Sequence, residues 1–345
     1  TLSMVGTANI DGTINYNAAA TLGTASTATV NVSGVTRTAA GDSTVTVGAG
    51  IETLTINSTG SKSTLGKVVW GGANLAVTGS ADLTVGEATN LLAVTANSID
   101  ASAFTGKLSV ITGNPTDAAA VGGVDVVDLT ITGGSGADTI NVSNADTGVE
   151  LLVDGGAGND TVVIGAAPAA GTATKAVDTI SGGDGTDTLS SDVAIATAAT
   201  KANTAGVTGF EVYNISNALT GSVTLANTQA GLAVNLQAGG TGTIVGSAGS
   251  QTVSTMAALT GALTLTDTGV GTTDAVSLSN ARPVAGLNWG NGNNIVSSGY
   301  ETVNISTNGA GAATTLVLGT VAIAPDTIAG GAAANGVGTA NFSGS

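Results

Sequence analysis

Cysteine and histidine are both absent from this chain. Without thiols there can be no disulfide and no thiolate metal site, and without imidazole the usual zinc ligand and general base are missing. Ser-His-Asp and Cys-His catalysis are therefore excluded, and no G-x-S-x-G nucleophile elbow occurs. Basic residues are also scarce: Arg37, Arg282 and five lysines stand against 23 acidic residues, leaving a net charge of −16. Nucleic acids and anionic lipid surfaces need clustered Lys and Arg, so neither is expected as a partner. Calcium-dependent polysaccharide lyases also use Arg or Lys, and so few, widely spaced cations give that chemistry little support; no enzymatic activity is expected. Aromatic residues make up 2% of the chain and prolines number four. No apolar run is long enough to span a bilayer, and no secretory signal opens the chain. The first residue is Thr1, which suggests a processed product or a fragment.

What is present is glycine, at 53 positions, together with Ala, Thr, Val and Ser. Disorder pairs low hydrophobicity with high charge, whereas this chain is 42% hydrophobic and only 9% charged, so it should fold. Small and β-branched side chains favour many short, closely stacked strands. Ser43–Val47, Leu54–Ile56, Leu75–Thr78, Leu108–Ile111, Leu129–Ile131 and Leu263–Thr266 alternate apolar residues with Thr, Ser or Ala and end near glycine or Asn turns. Only the Ala-rich stretch Val193–Ala205 suggests a turn or two of helix.

Three nonapeptides carry the strongest signal. Gly133-Gly134-Ser135-Gly136-Ala137-Asp138-Thr139-Ile140-Asn141, Gly155-Gly156-Ala157-Gly158-Asn159-Asp160-Thr161-Val162-Val163 and Gly182-Gly183-Asp184-Gly185-Thr186-Asp187-Thr188-Leu189-Ser190 all fit G-G-x-G-x-D-x-U-x. The glycines permit turn conformations closed to other residues and leave carbonyls bare, while the aspartate supplies the hard anionic oxygen that calcium prefers. Asp138, Asp160 and Asp187 are the expected ligands, with carbonyls around Gly133, Gly155 and Gly182. Asp154, Asp178, Asp184 and Asn159 are candidate auxiliary residues. Asp178-Thr179-Ile180 lies nine residues before Asp187-Thr188-Leu189, where a preceding nonapeptide would place its aspartate. The spacing predicts a short, irregular roll or parallel β-helix, solenoid-like, whose successive turns stack with calcium between them.

A second repeat, G-[aromatic or Ile]-E-x-x-x-I, starts at Gly50, Gly209 and Gly299 and reads as a glycine turn leading into a strand with one bulky anchor. It suggests three all-β units: a β-rich segment 1–105, a calcium-binding β-roll region 106–206 and a second β-rich segment 207–345. Seven Asn-x-Ser/Thr sequons, at Asn31, Asn57, Asn141, Asn159, Asn214, Asn304 and Asn341, recur mostly at strand ends and read as structural. The few aromatics are expected to anchor cores, except Trp289, whose Asn- and Gly-rich surroundings suggest an exposed loop and a self-assembly contact.

The three nonapeptides resemble the RTX (repeats-in-toxin) proteins. Ile99-Asp100-Ala101-Ser102-Ala103-Phe104-Thr105-Gly106, the Gly-x-Glu-Thr-x-x-Ile units at 50 and 299, and the phrase beginning at Gly182 followed by Gly209-Phe210-Glu211 are similar to bacterial surface-layer proteins of that group. The resemblance implies type I secretion to the bacterial outer surface, calcium held within and between subunits, and self-assembly into a porous array; cell-surface polysaccharide is a further candidate partner. The repeats here are not contiguous, and Ala340–Ser345 does not resemble a type I secretion tail. The alternative is an RTX adhesin or a non-catalytic calcium-binding module of a secreted enzyme, such as the repeat module of an alginate epimerase.

Overall fold

The computed structural model describes residues 1–6, 9–16, 23, 25–39, 42–86, 98–115, 127–146, 148–168, 177–246, 249–257, 259–268, 273–280, 295–307, 321–325 and 339–344. Every strand pairing among them is parallel, and the fold is a parallel β-solenoid with almost no helix. All six strand segments expected from sequence are strands. The chain divides into two compact units, one of 1–189 with 205–210 and one of 190–204 with 211–345. The boundary expected after residue 105 falls inside the first unit. The Trp289 loop lies outside the described residues.

In the first unit each coil contributes a strand to one long sheet and, from Thr53–Ser58 onward, a second strand to a facing sheet, so strands adjacent in a sheet are successive coils. One sheet runs Leu2–Val5, Thr27–Ser33, Thr53–Ser58, Asn74–Gly79, Ser98–Asp100, Leu129–Thr132, Leu151–Asp154, Thr179–Ser181 and Val207–Thr208. The facing sheet includes Ser63–Leu65, Leu83–Val85, Leu108–Ile111, Thr139–Val142 and Thr161–Ile164. A separate three-stranded sheet, Gly12–Ile14, Thr44–Val47 and Lys67–Val69, lies near the start of the chain.

Alternation of side chains with period two sends every second residue inward, and stacking in register puts like on like. Leu54, Leu75, Ile99, Ile131, Val153, Ile180 and Val207 form one buried aliphatic ladder. Leu65, Val85, Val110, Ile140 and Val162 form the facing one. The latter explains the single large apolar residue of each nonapeptide: Ile140, Val162 and Leu189 are the inward positions just after the turn. Each such side chain contributes about 1.5–3 kcal/mol by leaving water.

The second unit repeats the scheme. Val212–Ile215, Ala233–Leu236, Gln251–Thr255, Ala275–Asn280, Thr302–Thr307 and Thr339–Gly344 stack in one sheet, and Leu219–Thr224, Gly240–Val245, Leu259–Thr266, Ile295–Gly299 and Val321–Pro325 in the other. The helix Val193–Ala198 packs beside Leu219–Thr224, the outermost strand of its sheet, and covers an edge that would otherwise present unpaired amides. Asp192 caps that helix by accepting from Ile195 N at 2.9 Å.

The Gly-x-Glu repeat proves to be a coil-starting device. Gly50, Gly209 and Gly299 sit at φ 82°, 72° and 88°, where L side chains are strained, and the following Ile51, Phe210 and Tyr300 are buried. Glu52 Oε2 then accepts from Ser26 N at 2.7 Å and Glu301 Oε2 from Asp274 N at 2.8 Å, each reaching the preceding coil. Trp70, Phe104 and Tyr213 are buried as well, in line with core anchoring. The strand sequons also have structural partners: Asn57 donates to Asn31 Oδ1 at 2.9 Å, and Gln237 donates to Asn214 Oδ1 at 2.5 Å. Phe104 is wholly buried in the turn that precedes the first nonapeptide coil, so Phe104→Ala is expected to cost about 3–5 kcal/mol, read as a lowered urea midpoint with an unchanged slope.

Candidate functional site

The three nonapeptide turns link a strand of the first sheet to the next strand of the facing sheet, once per coil. Thr139 pairs with Thr161, which puts the aspartates before them in neighbouring coils, and Thr188 N donates to Asp160 O at 2.8 Å, bringing Asp187 next in line. Asp138, Asp160 and Asp187 thus form one buried column, at 1%, 1% and 0% exposure.

Glycine is required because the coils touch there. A side-chain carbon on Gly133 would strike Gly155 O, one on Gly155 would strike Gly182 O, and one on Gly182 would strike Gly209 O. Two more glycine columns repeat the pattern. Gly156 faces Gly134 O and Gly183 faces Gly156 O; likewise Gly136 faces Gly106 O, Gly158 faces Gly136 O and Gly185 faces Gly158 O. Four of these glycines, Gly156, Gly158, Gly183 and Gly185, also have positive φ.

The aspartates are held by a relay of backbone amides. Leu108 N donates to Asp138 Oδ1 at 2.8 Å, Asp138 N to Asp160 Oδ1 at 2.7 Å, and Asp160 N to Asp187 Oδ1 at 2.7 Å. Gly134 N donates to Asp138 Oδ2 at 2.8 Å. Asp160 Oδ2 is buried with no hydrogen-bond partner. Desolvation raises the Asp160 carboxyl to about 7, opposed by the Asp138 amide and reinforced by the charges of Asp138, Asp187 and Asp154. Burial likewise raises Asp138, against the amides of Leu108 and Gly134 and the nearby Lys107 charge.

The other expected residues are placed differently. Asn159 is exposed, and its Oδ1 accepts from Thr186 N at 3.0 Å, tying one turn to the next. Asp184 is exposed and joins the stack through its backbone, donating to Gly156 O at 2.8 Å and accepting from Gly158 N at 2.8 Å. Asp154 is exposed and accepts from Gly156 N at 3.2 Å. Asp178 stands just before Thr179–Ser181, where its Oδ1 accepts from Leu151 N at 2.9 Å. It belongs to a second set of buried acids, of which the sequence pointed out Asp178 alone. Asp128 and Glu150 precede the corresponding strands of earlier coils, with Glu150 N donating to Asp128 Oδ2 at 2.9 Å. Their signal was in the sequence: an acid stands nine or ten residues before each nonapeptide aspartate.

Could the main column hold calcium? Its donors are all hard oxygens, and within 3.0 Å of where a side-chain carbon on Gly133, Gly155 or Gly182 would stand lie both a glycine carbonyl of the next coil and an aspartate Oδ2. The orphaned Asp160 Oδ2 and the carboxylate stacking call for a counter-charge, so the residue types fit the cation. Among the described residues, however, no group of three acidic side chains converges on one metal position; at any point in the column, backbone carbonyls would have to supply part of the shell. No family model matches the chain, and no curated protein or solved structure shows significant similarity to it.

Two expectations follow. A carboxyl whose folded-state value is raised favours the folded state when protonated, so in calcium-free protein the Asp160 contribution to stability should be greatest below about pH 4 and be lost as pH rises through 4 to 7. Asp160→Asn should flatten that slope in chelator-treated thermal melts across the range. Gly158→Ala, at φ 126° against Gly136 O, should cost about 2–4 kcal/mol in chemical denaturation, while exposed Ser135→Ala should stay within about 0.5 kcal/mol.

Proposed function

We propose that this chain is an extracellular structural protein of the bacterial surface, which binds calcium along the Asp138–Asp160–Asp187 column and self-assembles into a cell-surface layer. The observation that carries the reading is the column itself. Carboxylates repeated at the strand spacing of about 4.8 Å repel by roughly 3 kcal/mol per neighbouring pair at an effective dielectric near 20. Divalent cations relieve that repulsion without disturbing the stacked glycine turns. Asp138, Asp160 and Asp187 would hold the ions, with the carbonyls of Gly155, Gly182 and Gly209 beside them. Bound calcium would supply positive charge there; the protein supplies a rigid oxygen-lined edge.

The absence of cysteine suits an exported protein that folds without disulfide chemistry. A net charge of −16 keeps copies apart until cations screen it, which makes calcium a natural trigger for association. An extracellular site functions with affinities near 10⁻⁴ to 10⁻³ M. Among the described residues no helix is long and apolar enough to cross a membrane. No catalytic role is assigned.

Titration calorimetry should show calcium binding to the chelator-stripped protein, weakened at least tenfold in Asp160→Asn. Negative-stain electron microscopy in millimolar calcium should show ordered arrays that disperse on chelation. Calcium binding with discrete particles under both conditions would favour the adhesin or accessory-module reading, and absence of binding would refute the calcium assignment.

A further inference from the structure

The aspartate column stops at Asp138, and the residues of the preceding coil show how. Ser109 pairs with Thr139, so Leu108 holds the place that Asp138 holds one coil later. The turn before Leu108 is stacked on the first nonapeptide turn: Ser135 N donates to Phe104 O at 3.0 Å, a side-chain carbon on Gly134 would strike Phe104 O, and one on Gly136 would strike Gly106 O. Yet Phe104 and Leu108 are both buried, at 0% and 1% exposure. Where another carboxylate would carry the column on there is an apolar side chain. A hard cation gains no anionic oxygen at that position.

Asp138 is nevertheless a buried carboxylate with like charges behind it, and its outer side carries a positive charge already. Lys107 is exposed, immediately before Leu108, and its backbone N lies 2.9 Å from where a side-chain carbon on Gly136 would stand. That N–H donates to Asp82 Oδ1 at 3.0 Å, which fixes the residue against the coil before, while Leu108 N donates to Asp138 Oδ1 at 2.8 Å. The Lys107 charge favours the ionised Asp138 carboxyl, against the effect of burial. At Asp160 the charges that act are those of Asp138, Asp187 and Asp154, all negative, and Asp160 Oδ2 has no hydrogen-bond partner. The two neighbours in the column therefore differ in their need for a cation.

We infer that Lys107 is a built-in counter-ion that ends the calcium column, its tethered ammonium balancing Asp138 on the side where Leu108 leaves no ligand, so that calcium is held only on the Asp160 side. The inference rests on the calcium reading above and assigns that site its boundary. A fixed positive charge attracts a carboxylate and repels a divalent ion. One side chain thus has opposite effects on the empty and the filled column: it steadies the calcium-free turns and weakens calcium binding.

The test is titration calorimetry with calcium chloride, paired with thermal melts of the full chain in chelator and in saturating calcium. Lys107→Gln should raise calcium affinity about threefold or more and lower the melting temperature in chelator by about 2 °C, with the deficit closing as calcium saturates. Lys107→Arg, which keeps the charge, and Lys201→Gln, which removes an exposed charge in the second unit, should both match wild type. A Lys107→Gln chain that binds calcium no more tightly than wild type, or a Lys107→Arg chain that behaves like Lys107→Gln, would overturn the role of Lys107 while leaving the column standing as a calcium site. Wild-type protein that binds no calcium would overturn both.

Discussion

Coil-on-coil hydrogen bonding at the parallel strand spacing is the constraint from which the rest of this structure follows. Every residue sits about 4.8 Å from its counterparts in the coils before and after, so any choice made in one coil is repeated as a row. Rows of Val, Ile and Leu are favourable and make the core. Rows of Asn and Thr bond laterally and make quiet outer faces. Rows of glycine are demanded wherever the chain turns so sharply that one coil's carbonyl lies against the next coil's α-carbon.

A row of aspartates is the exception, because stacking multiplies repulsion rather than contact. Asp138, Asp160 and Asp187 meet part of that cost through the amide relay, which gives each carboxylate at least one charge-assisted donor from a neighbouring coil or its own turn. The relay does not neutralise the column, and the central carboxyl bears the strain as a value near 7. A buried like-charge row held open by backbone geometry is an arrangement that either a proton or a hard cation resolves. That balance links a feature of folding to the proposed function.

Much of this was legible in the chain. The period-two alternation identified strands, and the nonapeptides identified tight turns, because glycine and aspartate have few competing reasons to recur as G-G-x-G-x-D. The second acid set, Asp128, Glu150 and Asp178, was harder to see: Asp178 was noticed as an echo of a nonapeptide, but Asp128 and Glu150 lack flanking glycines, and their common role lies in where successive coils align. In the Gly-x-Glu units Glu52 and Glu301 each fasten their coil to the one before, and the unit at Gly209 stands where the main segment of the second compact unit begins, at Glu211.

The sequence by itself determined the all-β class, the solenoid-like stacking, the residues of the glycine–aspartate turns and the exclusion of histidine- and thiol-dependent chemistry. These depend on composition and short-range pattern, which fix backbone freedom and side-chain direction. Only the tertiary structure decided which acids share a column, which backbone amides reach them, and which further acids lie buried beside the strands. Those properties depend on register between coils 22 to 27 residues apart, set by loop lengths and core packing together rather than by any local motif.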